Sequence, residues 1–223
     1  MQTKPVVLFD IDYTLFDPRH FEKCFYPYLA RLCSLDEELV RGSLSRILRE
    51  TVVQDHFLDI DKFLKLSLSN LKKEEYIEEV NRFLFAGYFF KDGFYSEVKN
   101  TIISLSSIAR LGIFSQGNEK LQGAKIYQSG FRNFIEKELT YLIKPKKIDF
   151  LPSLKKIHVS DKIFLVDDRL SILNEVKKQI PSVFGIWIKR GWYAENEEEI
   201  PNFSPDAEIE NLSEVVKIVK SNL

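Results

Sequence analysis

Residues 6–17 read Val-Val-Leu-Phe-Asp-Ile-Asp-Tyr-Thr-Leu-Phe-Asp, and the rest of the chain is best understood from this stretch outward. Its first four residues are apolar and include β-branched and aromatic types, which is typical of a buried strand. Asp10 and Asp12 follow two positions apart, so strand alternation predicts that both carboxylates leave the strand end on the same side. Two neighbouring carboxylates repel each other at neutral pH, and Mg²⁺ prefers such oxygen ligands. The stretch predicts a strand ending in a magnesium site; the alternative is a solvated acidic turn.

Composition limits the kinds of protein this can be. A length of 223 residues allows one sizeable domain, or a core with a smaller insert. The net charge is -1 and no long basic cluster is present, so no nucleic-acid partner is expected. The longest strongly apolar run, residues 83–90, is too short to span a membrane, and no signal peptide is visible. Cys24 and Cys33 are expected to be buried thiols of a reduced compartment, so the predicted location is cytoplasmic.

The segment after the first strand has purely helical periodicity. From about Phe21 to Phe85, apolar residues recur three or four positions apart with no strand-like alternation. Ser34 or Asp36 is expected to cap the second helix of this segment. The pattern predicts a bundle of about four helices, inserted between the first strand and the remainder of the chain.

The remainder alternates between strands and helices, which predicts a parallel sheet covered by helices on both faces. In such sheets the ligand site lies beyond the carboxyl ends of the strands. The predicted strands are 111–114, 139–143, 162–166, 183–188 and a short edge strand 207–209; the predicted helices are 96–107, 121–127, 150–157, 171–179 and 212–219.

Polar and charged side chains that are candidates for a ligand site follow four consecutive predicted strands. Taken singly, each has a plainer interpretation: a serine in a turn, an exposed lysine, or an aspartate capping the next helix. Their order and their shared position at strand ends make a common site the better interpretation. These residues are Asp10 with Asp12, Ser115, Lys144, and Asp167 with Asp168.

The pattern Asp-Ile-Asp-Tyr-Thr-Leu-Phe-Asp resembles the first motif of the haloacid dehalogenase (HAD) superfamily, most of whose members are phosphatases. The three later positions resemble the other motifs of that superfamily, and the helical insertion is similar to its cap. The resemblance covers nearly the whole chain. It implies an α/β fold with a three-layer, parallel-sheet, Rossmann-like core formed by residues 1–16 and 91–223, and a helical-bundle cap formed by residues 17–90.

The resemblance also implies roles for individual residues. Asp10 would be the nucleophile that forms an aspartyl-phosphate, and Asp12 the general acid that then activates water. Ser115 and Lys144 would act in catalysis by holding the phosphoryl oxygens, with Gln116 as a further phosphate-binding residue. Phosphoryl transfer depends mainly on positioning and charge neutralisation, which these residue types can supply.

The magnesium ligands implied by the resemblance are Asp10, the backbone carbonyl of Asp12, and an acid of the fourth motif. Family members commonly have Gly-Asp in that motif, whereas this chain has Asp167-Asp168. Aligning the glycine with Asp167 makes Asp168 the ligand and Asp167 its supporting partner. The alternative, in which Asp167 is the ligand, stays open.

The resulting expectation is a Mg²⁺-dependent phosphatase that acts on a small phosphorylated metabolite. The dehalogenases that give the superfamily its name release a halide, which leaves without a proton. The alcohol of a phosphate ester leaves as an alkoxide, which needs one. The presence of Asp12 therefore favours phosphate-ester hydrolysis over dehalogenation. A phosphomutase and a non-catalytic protein that binds a partner through its cap are the alternatives. A receiver domain fits less well, because its phosphorylated aspartate follows a later strand.

Overall fold

Six parallel strands form one sheet, which confirms the predicted α/β fold with a Rossmann-like core. In this computed structural model the described residues are 4–55, 57–144, 147–150, 162–196 and 198–223. The strands are β1 (Val6–Phe9), β2 (Arg110–Gln116), β3 (Thr140–Ile143), β4 (Ile163–Asp167), β5 (Phe184–Ile188) and β6 (Ala207–Ile209). They pair in the order β3-β2-β1-β4-β5-β6.

The helices of the described residues fall into two structural units. The first unit contains the sheet and comprises Met1–Asp17, Phe94–Gln116 and Gly130–Leu223; the second comprises Pro18–Gly93 and Gly117–Ser129. The helices are α1 (Arg19–Cys33), α2 (Glu37–Asp55), α3 (Ile60–Leu71), α4 (Ile77–Asn81), α5 (Val98–Ser106), α6 (Glu119–Gln128), α7 (Leu170–Gln179), α8 (Gly191–Asn196) and α9 (Glu214–Ser221). No helix among the described residues has both the length and the apolar character needed to cross a membrane.

Burial of β1 explains why its residues are all apolar. The strand lies in the middle of the sheet, and each of its four side chains is fully buried. Val6 and Leu8 belong to a core cluster that includes Leu173 and Val176 of α7. Because strand side chains alternate, Val7 and Phe9 are buried on the opposite face. Burial on both faces selects a continuous apolar run that ends where the chain leaves the sheet.

The second unit is helical, as the periodicity predicted. It contains α1 to α4, a π-helical turn at Arg82–Ala86, and α6. Asp36 Oδ1 accepts a hydrogen bond from the backbone N–H of Leu39 at the start of α2, which confirms Asp36 as the capping residue. Asp59 caps α3 in the same way.

Helix α6 groups with the helical unit, whereas the sequence pattern assigned it to the core. Its Gln128 side chain accepts a hydrogen bond from the backbone N–H of Phe90 at 2.8 Å and donates one to the carbonyl of Leu84 at 3.0 Å. Lys120 on the same helix forms an ion pair with Asp61 at 2.5 Å. These contacts join residues distant in the chain, so local periodicity does not reveal them.

Two further differences from the predicted elements concern the first unit. Helix α8 is not among the predicted elements, because residues 195–199, four of which are glutamates, overlap its end and favour a solvated loop. The helix predicted at 150–157 lies almost wholly outside the described residues; Lys147–Phe150 form a 3-10 turn just before it.

Candidate active site

A tight turn after β1 positions the two aspartates of the first motif. The backbone N–H groups of Leu15 and Phe16 both donate to the carbonyl of Ile11 at 2.8 Å, and the N–H of Tyr13 donates to the carbonyl of Phe16 at 2.7 Å. Tyr13 has a φ of 57°, in the left-handed region. The strand ends at Phe9, so this turn, rather than strand alternation, sets the position of Asp12.

Gly191 leaves room for this turn. It has a φ of +75°, and a Cβ placed on it would overlap the ring of Tyr13. Glycine alone meets both requirements at this position. The start of α8 is thus matched to the loop that contains Asp12.

A buried lysine connects the first and fourth motifs. Lys147 Nζ donates to Asp10 Oδ1 at 2.7 Å and to Asp167 Oδ2 at 2.5 Å. All three side chains are less than 10% exposed. Ion pairs this deeply buried are costly to form unless their geometry is good, and here one ammonium group serves two carboxylates.

This arrangement corrects the lysine assigned from the sequence. Lys144 is exposed just after β3, whereas Lys147, three residues later, contacts Asp10. The 3-10 turn at Lys147–Phe150 begins at this second lysine. The backbone N–H of Lys147 also donates to Gln116 Oε1 at 3.4 Å, which places Gln116 beside it.

The site holds more negative charge than its lysine balances. Burial raises the pKa of Asp10 to about 6, since Asp167 and Asp12 add to the rise and only Lys147 opposes it. Burial also raises the pKa of Asp168 well above its usual range; Asp167 and Asp10 add to this rise, while Lys147 and Arg169 oppose it. Burial alone would lower the pKa of Lys147, yet the two carboxylates it contacts raise it. These mutual effects place Asp12 and Asp168 within electrostatic reach of Asp10.

The paired aspartates of the fourth motif differ in how their oxygens are used. Asp167 Oδ2 accepts from Lys147, and Asp167 Oδ1 accepts from the backbone N–H of Arg169 at 3.0 Å. Asp168 Oδ2 is buried and has no hydrogen-bond partner among the described residues. The indole N–H of Trp187 donates to the backbone carbonyl of Asp168 at 2.9 Å, which holds this residue in place.

Two hydroxyl groups near the ends of β1 and β2 are also buried without a hydrogen-bond partner among the described residues. They are Ser115 Oγ and Thr14 Oγ1. Neighbouring parallel strands end at the same edge of the sheet, and β1 pairs directly with β2. Buried polar groups are rarely left unpaired, so orphaned hydroxyls at this edge are suited to a polar ligand.

The donor groups at this edge fit Mg²⁺. Within the described residues, no three His, Cys, Asp or Glu side chains form a ready-made metal cluster. Magnesium does not require one, because it commonly takes one or two carboxylates and keeps several waters. Asp10, Asp167 and Asp168 are buried around one buried lysine, and Asp168 keeps an oxygen without a hydrogen-bond partner among the described residues. A divalent cation would offset this concentration of carboxylates.

Three residues near the site were not assigned from the sequence. Lys147 was one of several lysines in a short run, and local pattern could not distinguish it from Lys144. Thr14 is part of the first motif, but the pattern gives no sign that its hydroxyl is buried. Arg169 follows the aspartate pair directly, and its position in the chain was the only available signal.

Comparisons with known proteins agree with this architecture. The chain is similar to a haloacid dehalogenase-like hydrolase from Burkholderia xenovorans LB400, with 20% identity over 98% of both chains and a TM-score of 0.79. It is similar to the HAD-hydrolase YfnB from Bacillus subtilis bound to magnesium, with 17% identity over 97% of this chain and 99% of that chain and a TM-score of 0.65. No protein-family model and no curated protein matches the chain.

A dehalogenase has the same architecture. L-2-haloacid dehalogenase from Xanthobacter autotrophicus, with chloropropionic acid covalently bound, shares 12% identity over 99% of this chain and 100% of its own, with a TM-score of 0.62. This chain therefore has the fold of the haloacid dehalogenase-like hydrolases, and the resemblance drawn from its motifs is confirmed for the fold. Because that fold serves more than one reaction, the reaction has to be argued from the site.

Proposed function

We propose that this protein is a Mg²⁺-dependent phosphatase that hydrolyses a small phosphorylated metabolite. The observation that carries the proposal is the pairing of two carboxylates with different surroundings. Asp10 is buried against Lys147, while Asp12, two residues later, is only half-buried. Carboxylates in unlike environments are suited to unlike roles, one as nucleophile and the other as acid and base.

In the first step, an oxygen of Asp10 attacks phosphorus and the bond from phosphorus to the leaving oxygen breaks. Asp12 gives its proton to that oxygen, so the product leaves as an alcohol. In the second step, water attacks the phosphorus of the aspartyl-phosphate and passes a proton to Asp12, while the bond from phosphorus to the Asp10 oxygen breaks. Inorganic phosphate leaves, and the Asp10 carboxylate is restored.

The remaining polar groups would hold the phosphoryl oxygens. Lys147 supplies a positive charge beside Asp10, and the buried hydroxyl of Ser115 has hydrogen-bonding capacity to spare. Gln116 Oε1 accepts a hydrogen bond from the backbone N–H of Lys147 and would help to position that residue. Fixed donors of this kind stabilise charge in the transition state without reorganising.

We expect Mg²⁺ to be held by the carboxylates of Asp10 and Asp168 and by the backbone carbonyl of Asp12. When bound there, the cation would supply a charge partner for the phosphoryl oxygens. Asp168 is favoured over Asp167, because both oxygens of Asp167 already accept hydrogen bonds while Asp168 Oδ2 accepts none from the described residues.

Asp12 favours a phosphatase over a dehalogenase. A halide leaves as a stable anion, so a dehalogenase has no need of an acid at that position. An alkoxide leaving group does need one. We also propose a cytoplasmic location, since both cysteines are free thiols. Cys33 is buried as expected, whereas Cys24 is exposed, so the expectation of two buried thiols is wrong for Cys24.

A direct test compares the two reactions in one preparation. The purified protein is incubated with a panel of phosphomonoesters and with 2-chloropropionate, each with Mg²⁺ and with excess chelator, and release of phosphate and chloride is measured. We expect Mg²⁺-dependent phosphate release and no chloride release. Asp10→Asn should lower phosphate release about a thousandfold or more, because it removes the nucleophile.

Asp92→Asn is the matched control, because Asp92 is an exposed aspartate of the helical unit. It should retain normal activity. Mass spectrometry of the Asp10→Asn variant excludes deamidation of the substituted side chain back to aspartate. Chloride release without phosphate release, or full activity of Asp10→Asn, would overturn the proposal.

A further inference from the structure

We propose that Arg169 binds a second anionic group, a carboxylate or a phosphate, on the phosphate ester that this site hydrolyses. The inference rests on the proposed function and narrows its substrate class. Preferred substrates would be small phosphomonoesters that carry an additional negative charge close to the ester.

Arg169 lies at the edge of the candidate site. It directly follows Asp168, and its own backbone N–H donates to Asp167 Oδ1. It is the residue that precedes the first turn of α7, a ten-residue helix, and its side chain does not cap that helix. The amino end of a helix adds positive potential to that of the guanidinium. The helix end and the guanidinium therefore both attract anions to this position.

The guanidinium of Arg169 has unused hydrogen-bonding capacity. Its Nε is buried and has no hydrogen-bond partner among the described residues. Burying a charged donor without a partner is costly, so such a group marks either strain or a ligand site. Asp168 Oδ2, on the preceding residue, is buried and unpaired in the same sense. Since the two groups do not pair with each other, each is available to a separate ligand.

The ring of Tyr193 in α8 packs against this guanidinium. Arg169 Cζ lies 4.7 Å from the centroid of the Tyr193 ring. Trp192 packs edge-on against the same ring, with the centroids 5.1 Å apart. Stacking covers a face of the guanidinium and leaves its in-plane N–H groups free to meet a ligand. An arginine held in this way is preorganised for a planar or tetrahedral anion.

The chemistry of the donor determines the class of ligand. A guanidinium fork matches two oxygens of a carboxylate or phosphate, whereas a neutral hydroxyl offers only a single acceptor. Charge-assisted bonds of this kind typically change affinity by about tenfold to a hundredfold. Selectivity between an anionic substrate and its neutral analogue should fall in that range.

The test uses a matched pair of probes, 2-phosphoglycolate and 2-hydroxyethyl phosphate, which differ in a carboxylate against a hydroxymethyl group. Their dissociation constants are measured by calorimetry on the Asp10→Asn variant in the presence of Mg²⁺, alone and combined with Arg169→Met. We expect 2-phosphoglycolate to bind about tenfold or more tighter than the neutral probe. Arg169→Met should abolish this preference and leave the neutral probe within about twofold of its original affinity. A bisphosphate of similar size shows whether a second phosphate is accepted as well as a carboxylate.

Arg110→Met is the matched control, because Arg110 lies at the start of β2, away from the strand ends that form the site. It should leave both affinities unchanged. Tyr193→Phe should preserve the preference for the anionic probe, while Tyr193→Leu should weaken it, since only the former retains the stacking ring.

Equal weakening of both probes by Arg169→Met would mean that Arg169 binds the transferred phosphoryl group, and the inference would fail. It would also fail if neither probe binds or if the two bind equally. Hydrolysis by the wild-type protein, assayed separately, reports on the proposed function itself. If the wild-type protein hydrolyses phosphomonoesters but the two probes bind equally, the proposed function stands and the anion site fails. If the anionic probe binds more tightly but no phosphomonoester is hydrolysed, the phosphatase is refuted and the anion site stands.

Discussion

At the scale of single residues, the candidate site depends on which polar atoms find partners after folding. Lys147, Asp10 and Asp167 satisfy one another in the interior. The side chains of Asp168 and Ser115 keep buried oxygens without partners among the described residues. A catalytic site needs both kinds of group: the first kind holds the geometry, and the second remains available to ligands.

A comparison of Lys147 with Lys144 gives the most direct test at this scale. Lys147→Met should lower kcat by about a hundredfold or more, because it removes the charge beside the nucleophile. It should also lower the free energy of unfolding by about 3–5 kcal/mol, since two buried carboxylates lose their partner. Steady-state kinetics and urea denaturation measure the two effects, with circular dichroism confirming that the variant is folded in the assay.

Lys144→Met serves as the control and should have much smaller effects on both quantities, because Lys144 is exposed. If Lys144→Met loses more activity than Lys147→Met, the assignment of the catalytic lysine to position 147 is wrong.

At the scale of secondary-structure elements, an ion pair ties the end of β5 to the start of α5. Arg190 Nη2 donates to Glu97 Oε1 at 2.7 Å, and both side chains are mostly buried. The Arg190 guanidinium also lies 4.2 Å from the centroid of the Tyr95 ring. Burial acts to raise the pKa of Glu97, but the hydrogen bond from Arg190, with help from backbone groups, outweighs it and lowers the pKa.

This lowered pKa predicts how the stability contributed by the pair varies with pH. A carboxylate whose pKa is lower in the folded state stabilises the fold above its unfolded pKa of about 4.3, and this contribution is lost as the pH falls through the folded value. Glu97→Gln should therefore cost about 1 kcal/mol at pH 7 and much less near pH 3. Urea denaturation at both pH values measures the difference.

Glu175→Gln is the matched control, because Glu175 pairs with Lys178 on the exposed surface of α7. Its effect should be small at both pH values. A cost for Glu97→Gln that is the same at pH 7 and pH 3 would show that the charge of Glu97 is not what stabilises this contact.

At the scale of the whole molecule, the chain crosses between its two structural units several times. The helical unit takes not only the insertion after β1 but also α6, which follows β2 and the residues Ser115 and Gln116. The side chain of Gln128, at the end of α6, links two backbone groups: it accepts from the N–H of Phe90 and donates to the carbonyl of Leu84. The helical unit is thus assembled from two separate stretches of sequence.

Gln128→Leu tests this assembly. It removes both bonds and leaves a buried N–H and a buried carbonyl unpaired, so the free energy of unfolding should fall by about 1–3 kcal/mol. Hydrogen exchange at the Phe90 amide should become faster, because that N–H loses its acceptor. Tyr127→Leu, at an exposed neighbouring position, should change stability by no more than about 0.5 kcal/mol. Equal costs for the two variants would rule out the structural role of Gln128.

Residue types alone were enough to predict the class of fold and to name most members of the candidate site. Alternation and helical spacing are local properties, so the α/β order, the helical insertion and the strand ends could be predicted from residue types alone. The aspartates, Ser115 and Gln116 follow directly from those strand ends. The first and fourth motifs could therefore be placed at the same edge of the sheet from the order of the strands and the residues that follow them.

Which side chains meet across the chain depends on tertiary packing. The choice of Lys147 over Lys144 depends on a turn that brings one ammonium group between carboxylates from two strands. The stacking of Tyr193 on Arg169 and the attachment of α6 to the helical unit depend on contacts between residues far apart in sequence. Such contacts are set by packing and by the pairing of buried polar groups, and no local pattern encodes them.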